Sequence, residues 1–325
     1  MYSESDIRDM LVKVVDLNKV PKKLRIIYNT TEFFHLDYDD ILILQDRPYF
    51  IRNCCKEGRF GIGEQDKYWV RRAIDLSSGQ LKIIKMVYHE NFNIKIGNVS
   101  IDFVRSPRKE GRVLNKVKGH QNFMQGITLI DDAGNIIRVA DFIVGKSWHE
   151  IIPGLGKDHK DYYYNYFPQV LSEFIELITA MGFLHSHGEL HGDIRVDHIL
   201  KEATSGINKW IDFDYSYMMH GESHFGFDLF GILDVLVYLV GRGHVTLHNL
   251  SQLLRGADLK TLDLYQDDLN VFVKGRIVNL RKVYPYISER LNSILLHVSI
   301  GHDDFYDSTG QIVHDLKEVL IDLQR

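Results

Sequence analysis

The sequence has few cysteines, and their number and spacing limit its class. Only two cysteines occur among the 325 residues, and they are adjacent, at Cys54 and Cys55. This excludes a disulfide framework and a cysteine-based zinc site. A reducing, cytoplasmic location is therefore expected.

Long apolar runs and strong net charge are also absent. The most apolar stretch, Leu229 to Val240, is interrupted by Asp234 and is shorter than the ~20 residues of a membrane span. The first residues lack the basic start and apolar core of a signal peptide. A formal net charge of −5 gives no reason to expect a nucleic acid or a membrane as partner. What remains is an ordinary globular composition, long enough for one two-lobed domain or two domains.

One stretch carries most of the chemical information. His191-Gly-Asp-Ile-Arg-Val-Asp-His-Ile-Leu200 is followed, after a short gap, by Ile211-Asp-Phe-Asp214. The apolar residues on either side of the gap predict two paired strands. Their pairing would bring Asp193 and Asp212 to one end of a hairpin, beside Arg195. Converging carboxylates suit phosphoryl transfer, in which one positions the incoming hydroxyl and the other holds Mg²⁺.

This stretch resembles the catalytic loop and metal-binding motif of the protein-kinase-like superfamily, in which H-R-D-L-x-x-x-N precedes D-F-G. The H-G-D form also occurs in aminoglycoside-phosphotransferase-like and lipopolysaccharide-kinase-like branches, and the chain resembles atypical bacterial-type Ser/Thr protein kinases. The resemblance implies that Asp193 positions the substrate hydroxyl, that Arg195 contacts the transferred phosphate and that Asp212 binds the metal. It also implies that His191 packs the loop, and that Asp228, at a helix start similar to D-x-x-x-G, braces the loop backbone. His198 stands where an asparagine usually takes one Mg²⁺, and imidazole is a poor ligand for that ion.

The resemblance extends upstream to a strand lysine. Val70, Ala73 and Gly79 fit the kinase spacing, and Ile83-Ile-Lys85 stands where the lysine-bearing strand would be. The resemblance implies that Lys85 binds phosphate. The alternative is a surface lysine on an edge strand.

A lysine inside an apolar strand needs a partner when it is buried. Ser106-Pro107 predicts a helix start, and Glu110 falls on the apolar face of that helix. Glu110 is the predicted partner of Lys85, with Glu90 as the alternative.

The nucleotide-binding residues follow from the same resemblance. Gly63 is the one residue of Phe60-Gly-Ile-Gly63 that falls on a loop-glycine position of the Gly-rich loop. By analogy, Ala140, Asp141 and Ile143 lie at the adenine edge, where the small Ala140 would leave a roomy pocket.

The expected fold is α+β and protein-kinase-like, with two lobes. Residues 1–55 form an N-terminal extension of a helix and strands. Residues 56–144 form a small antiparallel β-sheet lobe with one main helix, and residues 145–325 form a mostly α-helical large lobe.

The expected function is that of an ATP- and Mg²⁺-dependent (or Mn²⁺-dependent) kinase-like phosphotransferase, acting on a protein or small-molecule hydroxyl. The alternative is a pseudokinase that serves as a nucleotide-responsive binding or scaffold module, which His198 and the sparse glycine loop favour. The sixteen residues from Asp212 to Asp228 contain no A-P-E-like sequence, which indicates that a conventional peptide platform is missing. A chain unrelated to kinases would have to match these spacings by chance.

Overall fold

The computed structural model describes residues 2–59, 62–96, 99–219, 224–254, 262–302 and 304–324. The chain forms two compact units. Unit 1 comprises Met1–Glu90, Arg105–His120 and Met124–Ile143, and unit 2 comprises Asn91–Val104, Gln121–Phe123 and Val144–Arg325. Unit 1 is mostly β-sheet and unit 2 is mostly helical, so the predicted α+β class is confirmed.

Unit 1 is built on a seven-stranded sheet with the order β1-β2-β3-β4-β5-β9-β8. Its strands, numbered along the chain, are β1 (Ile26–Ile27), β2 (Ile41–Leu44), β3 (Arg47–Arg59), β4 (Ile62–Asp75), β5 (Leu81–Lys85), β8 (Gly126–Ile130) and β9 (Ile136–Asp141). The β1–β2 pair is parallel and the other pairs are antiparallel. Its helices are α1 (Glu4–Val14) and α2 (Pro107–Lys116).

Helix α2 forms where the sequence predicts it. The Ser106 side chain accepts a hydrogen bond from the Lys109 N–H, and Pro107 occupies the first turn, where a missing N–H costs nothing. The helix packs against β8 and β9, and Gly111 approaches Thr128 so closely that a Cβ there would lie 2.8 Å from its Oγ1. This close packing turns Glu110 towards the sheet.

The first residues belong to the core of unit 1. Ile7 and Leu11 of α1 pack with Phe50 against one face of the sheet. Strand β3 crosses the predicted boundary at residue 55, because it pairs with β4 from Tyr49 to Arg59. Residues 2–55 are therefore continuous with the sheet that carries Lys85. The predicted boundary at residue 144 lies next to the division between Ile143 and Val144.

Unit 2 consists of eight helices and two small sheets within the described residues. The helices are α3 (Trp148–Ile151), α4 (His159–Asn165), α5 (Phe167–Ser186), α6 (Gly226–Val240), α7 (Leu250–Leu253), α8 (Leu280–Val283), α9 (Glu289–Leu296) and α10 (Thr309–Leu323). The first sheet contains β10 (Gly145–Ser147), β11 (Ile199–Glu202) and β12 (Asn208–Trp210). Ile199 pairs with Trp210, so the predicted hairpin between the two halves of the motif is present.

Helix α5 is a core helix of unit 2. Its length and composition alone would allow it to cross a membrane. The sequence analysis predicted no such segment. One such helix is weak evidence of a span, because the core helices of water-soluble folds pass the same test. Residues such as Phe174, Ile178 and Leu184 are fully buried, and α5 packs on α4, α6 and α10.

The second sheet of unit 2 was not predicted from the sequence. Strands β6 (Asn91–Ile96) and β7 (Val99–Arg105) form a hairpin that follows the Lys85 strand in the sequence and precedes α2. Strand β7 also pairs with β13 (Tyr215–Met219). The sheet order is β13-β7-β6. The segment after Asp212 is therefore a strand that pairs with an inserted hairpin.

Candidate functional site

The first group of predicted site residues lies in unit 1. Lys85 Nζ lies 2.6 Å from Glu110 Oε1, and the lysine is 4% exposed and the glutamate 0%. The predicted partnership of Lys85 with Glu110 is therefore present. The alternative partner, Glu90, instead forms an ion pair with Arg105.

Sequence reasoning missed a third member of this group, Arg138. Its Nε lies 3.0 Å from Glu110 Oε2, and its side chain also donates to the carbonyl oxygens of Met86 and Ile136. Arg138 stands directly opposite Lys85 in the β5–β9 pair. Like charges in that position repel each other, so the Glu110 carboxylate is needed to hold both. A lone arginine within the apolar strand 136–141 was the available signal.

The buried trio of Lys85, Glu110 and Arg138 has two cations for one anion. All three side chains are at least 95% buried. A buried charge is stable only when it is paired and hydrogen-bonded. Glu110 therefore contacts both cations of the trio at once.

The predicted nucleotide-binding residues of unit 1 lie on its strands, except for Ile143. Gly63 lies in β4, and residues 60 and 61 of the same glycine motif are outside the described residues. Ala140 is buried opposite Ile83. Asp141 ends β9, where its largely exposed carboxylate forms an ion pair with Lys82. Ile143 follows as a half-buried residue of irregular backbone.

The second group lies in unit 2 and is organised by Asp228 at the start of α6. Its carboxylate accepts hydrogen bonds from the backbone N–H groups of His191 (2.7 Å) and Gly192 (2.8 Å). His185 Nε2 lies 3.0 Å from the same carboxylate. Burial opposes ionisation of Asp228, but the His185 hydrogen bond, the nearby imidazoles and the Gly192 N–H outweigh it and lower its pKa. The prediction that Asp228 braces the loop backbone is confirmed.

Glycine at position 192 has a steric reason. Gly192 has a φ of +86°, a conformation that side chains rarely adopt. A Cβ at this position would overlap the carbonyl oxygen of Tyr215, the first residue of β13. The path of the strand after Asp212 therefore excludes the arginine that stands here in H-R-D.

His191 is a packing residue, as predicted. It is fully buried, and its ring lies edge-on to those of Trp210 and Phe213, with centroids 5.5 and 5.8 Å away. Phe213 in turn contacts Phe123. The loop and the Asp-Phe-Asp motif therefore share one aromatic core.

The carboxylates of Asp193 and Asp212 meet on the two sides of the His198 ring. Nδ1 of His198 donates to the Asp193 carbonyl oxygen at 2.8 Å and lies 3.6 Å from its Oδ2. Nε2 lies 3.8 Å from Asp212 Oδ2. Because a carbonyl only accepts, Nδ1 carries the proton, and Nε2 faces Asp212 with a lone pair or a second proton. His198 thus occupies the space between the two predicted catalytic carboxylates.

The three aspartates of the motif influence one another. Burial, the largest effect, together with the charges of Asp214 and Asp212, raises the pKa of Asp193 above its ordinary value, although His198 and Arg195 oppose the shift. The Asp193 side chain remains about one-fifth exposed. A raised pKa at a partly accessible carboxylate is common at functional sites.

Asp212 has strained backbone geometry. Its φ is +61°, in the left-handed region that few residues other than glycine adopt. Strain of this kind costs about 1–3 kcal/mol and persists where the surrounding structure imposes it, often at functional sites.

Arg195 is held within its own loop. Its Nε and terminal nitrogen bind the two oxygens of Asp197 at 3.0 and 2.7 Å. This bidentate geometry favours a fixed side chain. The predicted contact of Arg195 with phosphate would require the guanidinium to share Asp197 or to leave it.

The residues suit a magnesium ion that is bound partly by substrate phosphates better than one that is enclosed by protein ligands alone. Among the described residues, no three histidine, cysteine or carboxylate groups converge closely enough to enclose a metal ion. Mg²⁺ usually takes one or two carboxylates, with waters and substrate phosphates completing the octahedron. Asp212 offers such a carboxylate, and His198 Nε2 is the weaker donor beside it.

No protein-family model and no curated protein matches the chain. Among solved structures, the chain is similar to the kinase domain of Mycobacterium tuberculosis PknI, with 12% identity and a TM-score of 0.48 over 87% of this chain and 99% of that one. A double mutant of that kinase domain matches with the same identity and TM-score, over 88% and 99% of the two chains. The protein-kinase-like fold and the catalytic roles of individual residues stay predictions from the sequence motifs.

Proposed function

We propose that the chain is an ATP- and Mg²⁺-dependent phosphotransferase that moves the γ-phosphate of ATP to a hydroxyl of a protein or small-molecule acceptor. The observation that supports it most is the placement of Asp193 and Asp212 within 4 Å of one imidazole. Phosphoryl transfer requires one carboxylate at the hydroxyl and another at the metal. The strained backbone of Asp212 adds to this support.

Each residue would have a defined task. Asp193 would orient the acceptor hydroxyl and take its proton, and its raised pKa suits it to that exchange. Asp212 would hold the Mg²⁺, which neutralises charge on the transferred phosphate. Lys85 would bind ATP phosphates, and its contact with Glu110 would hold its ammonium group in position.

The acceptor is expected to be a small molecule or a folded partner. Tyr215–Met219 forms a strand paired with the inserted hairpin. A segment engaged in a sheet does not offer the long open platform on which extended peptides dock. ATP-dependent transfer to a free hydroxyl remains compatible with that arrangement.

A second candidate, a nucleotide-responsive pseudokinase, is favoured by His198. A protonated ring there would lie beside both carboxylates and supply part of the charge that a metal otherwise supplies. The engagement of Arg195 with Asp197 points the same way. Under this function, the chain would bind nucleotide without transferring phosphate.

A transfer assay separates the two. The purified chain would be incubated with γ-labelled ATP and Mg²⁺ or Mn²⁺, with Asp193→Ala and Asp212→Ala as inactive variants. Asp267→Ala, an exposed carboxylate of unit 2, is the matched control. Label transfer or ATP hydrolysis by the wild type and the control, but not by the two variants, supports the enzyme. Metal-independent stabilisation by ATP without turnover in any variant supports the pseudokinase.

A further inference from the structure

Unit 2 contains a cavity whose charge differs from that of the whole chain. It has a volume of about 530 Å³ and lies between the α3–α4 connection, the end of α6, α7 and the residues after α8. Its charged lining residues are Lys157, Lys160, Arg242 and Asp158. Three cations and one carboxylate therefore surround this cavity in a chain of net charge −5.

The positive charges are only partly balanced by carboxylates. Asp158 lines the same cavity, and a backbone hydrogen bond, helped by the charges of Lys157 and Arg242, lowers the pKa of the neighbouring Asp161. Arg242 uses its terminal nitrogen to donate to the carbonyl oxygens of Pro153 (2.9 Å) and Gly156 (2.8 Å). Within the described residues, neither this guanidinium nor the ammonium groups of Lys157 and Lys160 form an ion pair with a carboxylate. Three cations with two nearby carboxylates leave a net positive charge around this cavity, which favours an anion.

The floor of the cavity is aromatic and fixed. The His159 ring stacks on Tyr284, with centroids 3.5 Å apart and planes 8° apart. Its two nitrogens contact Tyr286 Oη at 2.7 Å and the Val240 carbonyl oxygen at 2.8 Å. Burial lowers the pKa of His159 to about 4, so this ring adds no charge at neutral pH. The site therefore combines a rigid neutral floor with lysines at its rim.

The chemistry indicates the class of ligand. Lysine binds phosphate as a compact point charge, and the N–H groups of an arginine guanidinium bind phosphate oxygens directly. One terminal nitrogen of Arg242 is engaged with backbone carbonyls, whereas its buried Nε has no hydrogen-bond partner among the described residues. A volume of about 530 Å³ is that of a site for an organic molecule rather than for a bare ion.

The cavity is separate from the Asp228 end of the same helix. Asp228 lies in the first turn of α6, and Val240 ends it. At 1.5 Å per residue these ends are about 18 Å apart. We infer that this cavity binds a phosphate-bearing organic anion, either a free metabolite or a phosphorylated segment of a protein, at a site distinct from the Asp193 loop.

The test compares two double variants of the full chain. Lys157→Ala/Lys160→Ala removes two exposed ammonium groups from the rim, and Lys274→Ala/Lys317→Ala removes two exposed lysines elsewhere in unit 2. Pyrophosphate, O-phosphoserine, an acidic phosphoserine peptide and its unphosphorylated form would be titrated by calorimetry. Thermal melting would verify that both variants are folded.

At least one phosphate probe is expected to bind the wild type and the Lys274/Lys317 variant alike, and to bind the Lys157/Lys160 variant about tenfold more weakly. Binding that persists in Asp212→Ala would support a site separate from the proposed catalytic one. Tighter binding of the phosphopeptide than of phosphoserine identifies a protein segment as the source, and equal binding identifies a metabolite. Equal affinities of the two double variants, or no binding of any probe at millimolar concentration, would overturn the inference.

Discussion

Single substitutions of Lys85, Glu110 and Arg138 are expected to lower the free energy of unfolding by unequal amounts. Glu110→Ala would leave two buried cations opposite each other on adjacent strands. Lys85→Met would instead leave Arg138 paired with Glu110. Arg138→Met would leave the Lys85–Glu110 pair. The trio therefore predicts that the carboxylate matters more to folding than either cation.

The magnitudes follow from what remains buried. Removing one partner of a buried ion pair costs about 3–5 kcal/mol when it leaves an uncompensated charge, so Glu110→Ala is expected at the upper end. Lys85→Met keeps side-chain volume and leaves a neutral pair, so its cost is about 1 kcal/mol or less. Arg138→Met also strands the carbonyls of Met86 and Ile136, which adds about 1–2 kcal/mol.

Urea unfolding, followed by circular dichroism and by amide exchange in α2, measures these differences within unit 1. ATP-dependent thermal stabilisation measures the functional effect, and it should be lost in Lys85→Met although that variant is nearly as stable as the wild type. Lys82→Met, on the same strand with an ion pair to the exposed Asp141, is the matched control. If Lys85→Met proved as destabilising as Glu110→Ala, the assignment of Arg138 as second partner would be wrong.

Three further predictions concern the loop of unit 2. His198→Asn places an oxygen donor beside Asp212, so Mg²⁺-dependent nucleotide affinity should rise about threefold to tenfold by calorimetry; unchanged affinity would mean that residue 198 does not reach the metal. Because the pKa of Asp193 is raised in the folded protein, its ionised form costs stability at pH values above that pKa, and this cost vanishes below the ordinary pKa near 3.8. Asp193→Asn should therefore stabilise the chain by about 1 kcal/mol at pH 7 while abolishing transfer, and the gain should disappear in urea titrations below about pH 4. Gly192→Ala should destabilise unit 2 by about 3 kcal/mol, because it adds backbone strain and a clash with Tyr215; a melting temperature equal to that of the wild type would contradict this geometry.

The sequence predicted the features that depend on local spacing. The Lys85–Glu110 contact followed from an apolar strand and an amphipathic helix, each with one charged residue on its buried side. A charge within an apolar pattern must find a partner, and few candidates exist. The role of Asp228 followed instead from the resemblance of its segment to the D-x-x-x-G start of a kinase helix.

Other features depend on pairing between distant segments. Arg138 was missed because its role appears only when β9 aligns opposite β5. The β6–β7 hairpin was missed although Phe92 and Ile94 alternate with polar residues, a pattern typical of strands. Its pairing with β13 joins residues more than a hundred positions apart, which periodicity does not predict.

The inserted hairpin has a consequence for anyone who would express the two units separately. Ile101 and Phe103 of the hairpin are buried against Leu190, Tyr215 and Tyr217, so a fragment ending at residue 143 would carry these side chains away from their partners. It would expose an apolar cluster and an unpaired strand edge, both of which promote aggregation. The complementary fragment, residues 144–325, would lack β7, the strand with which its own strand β13 pairs. Soluble halves are therefore expected only when both fragments are produced together.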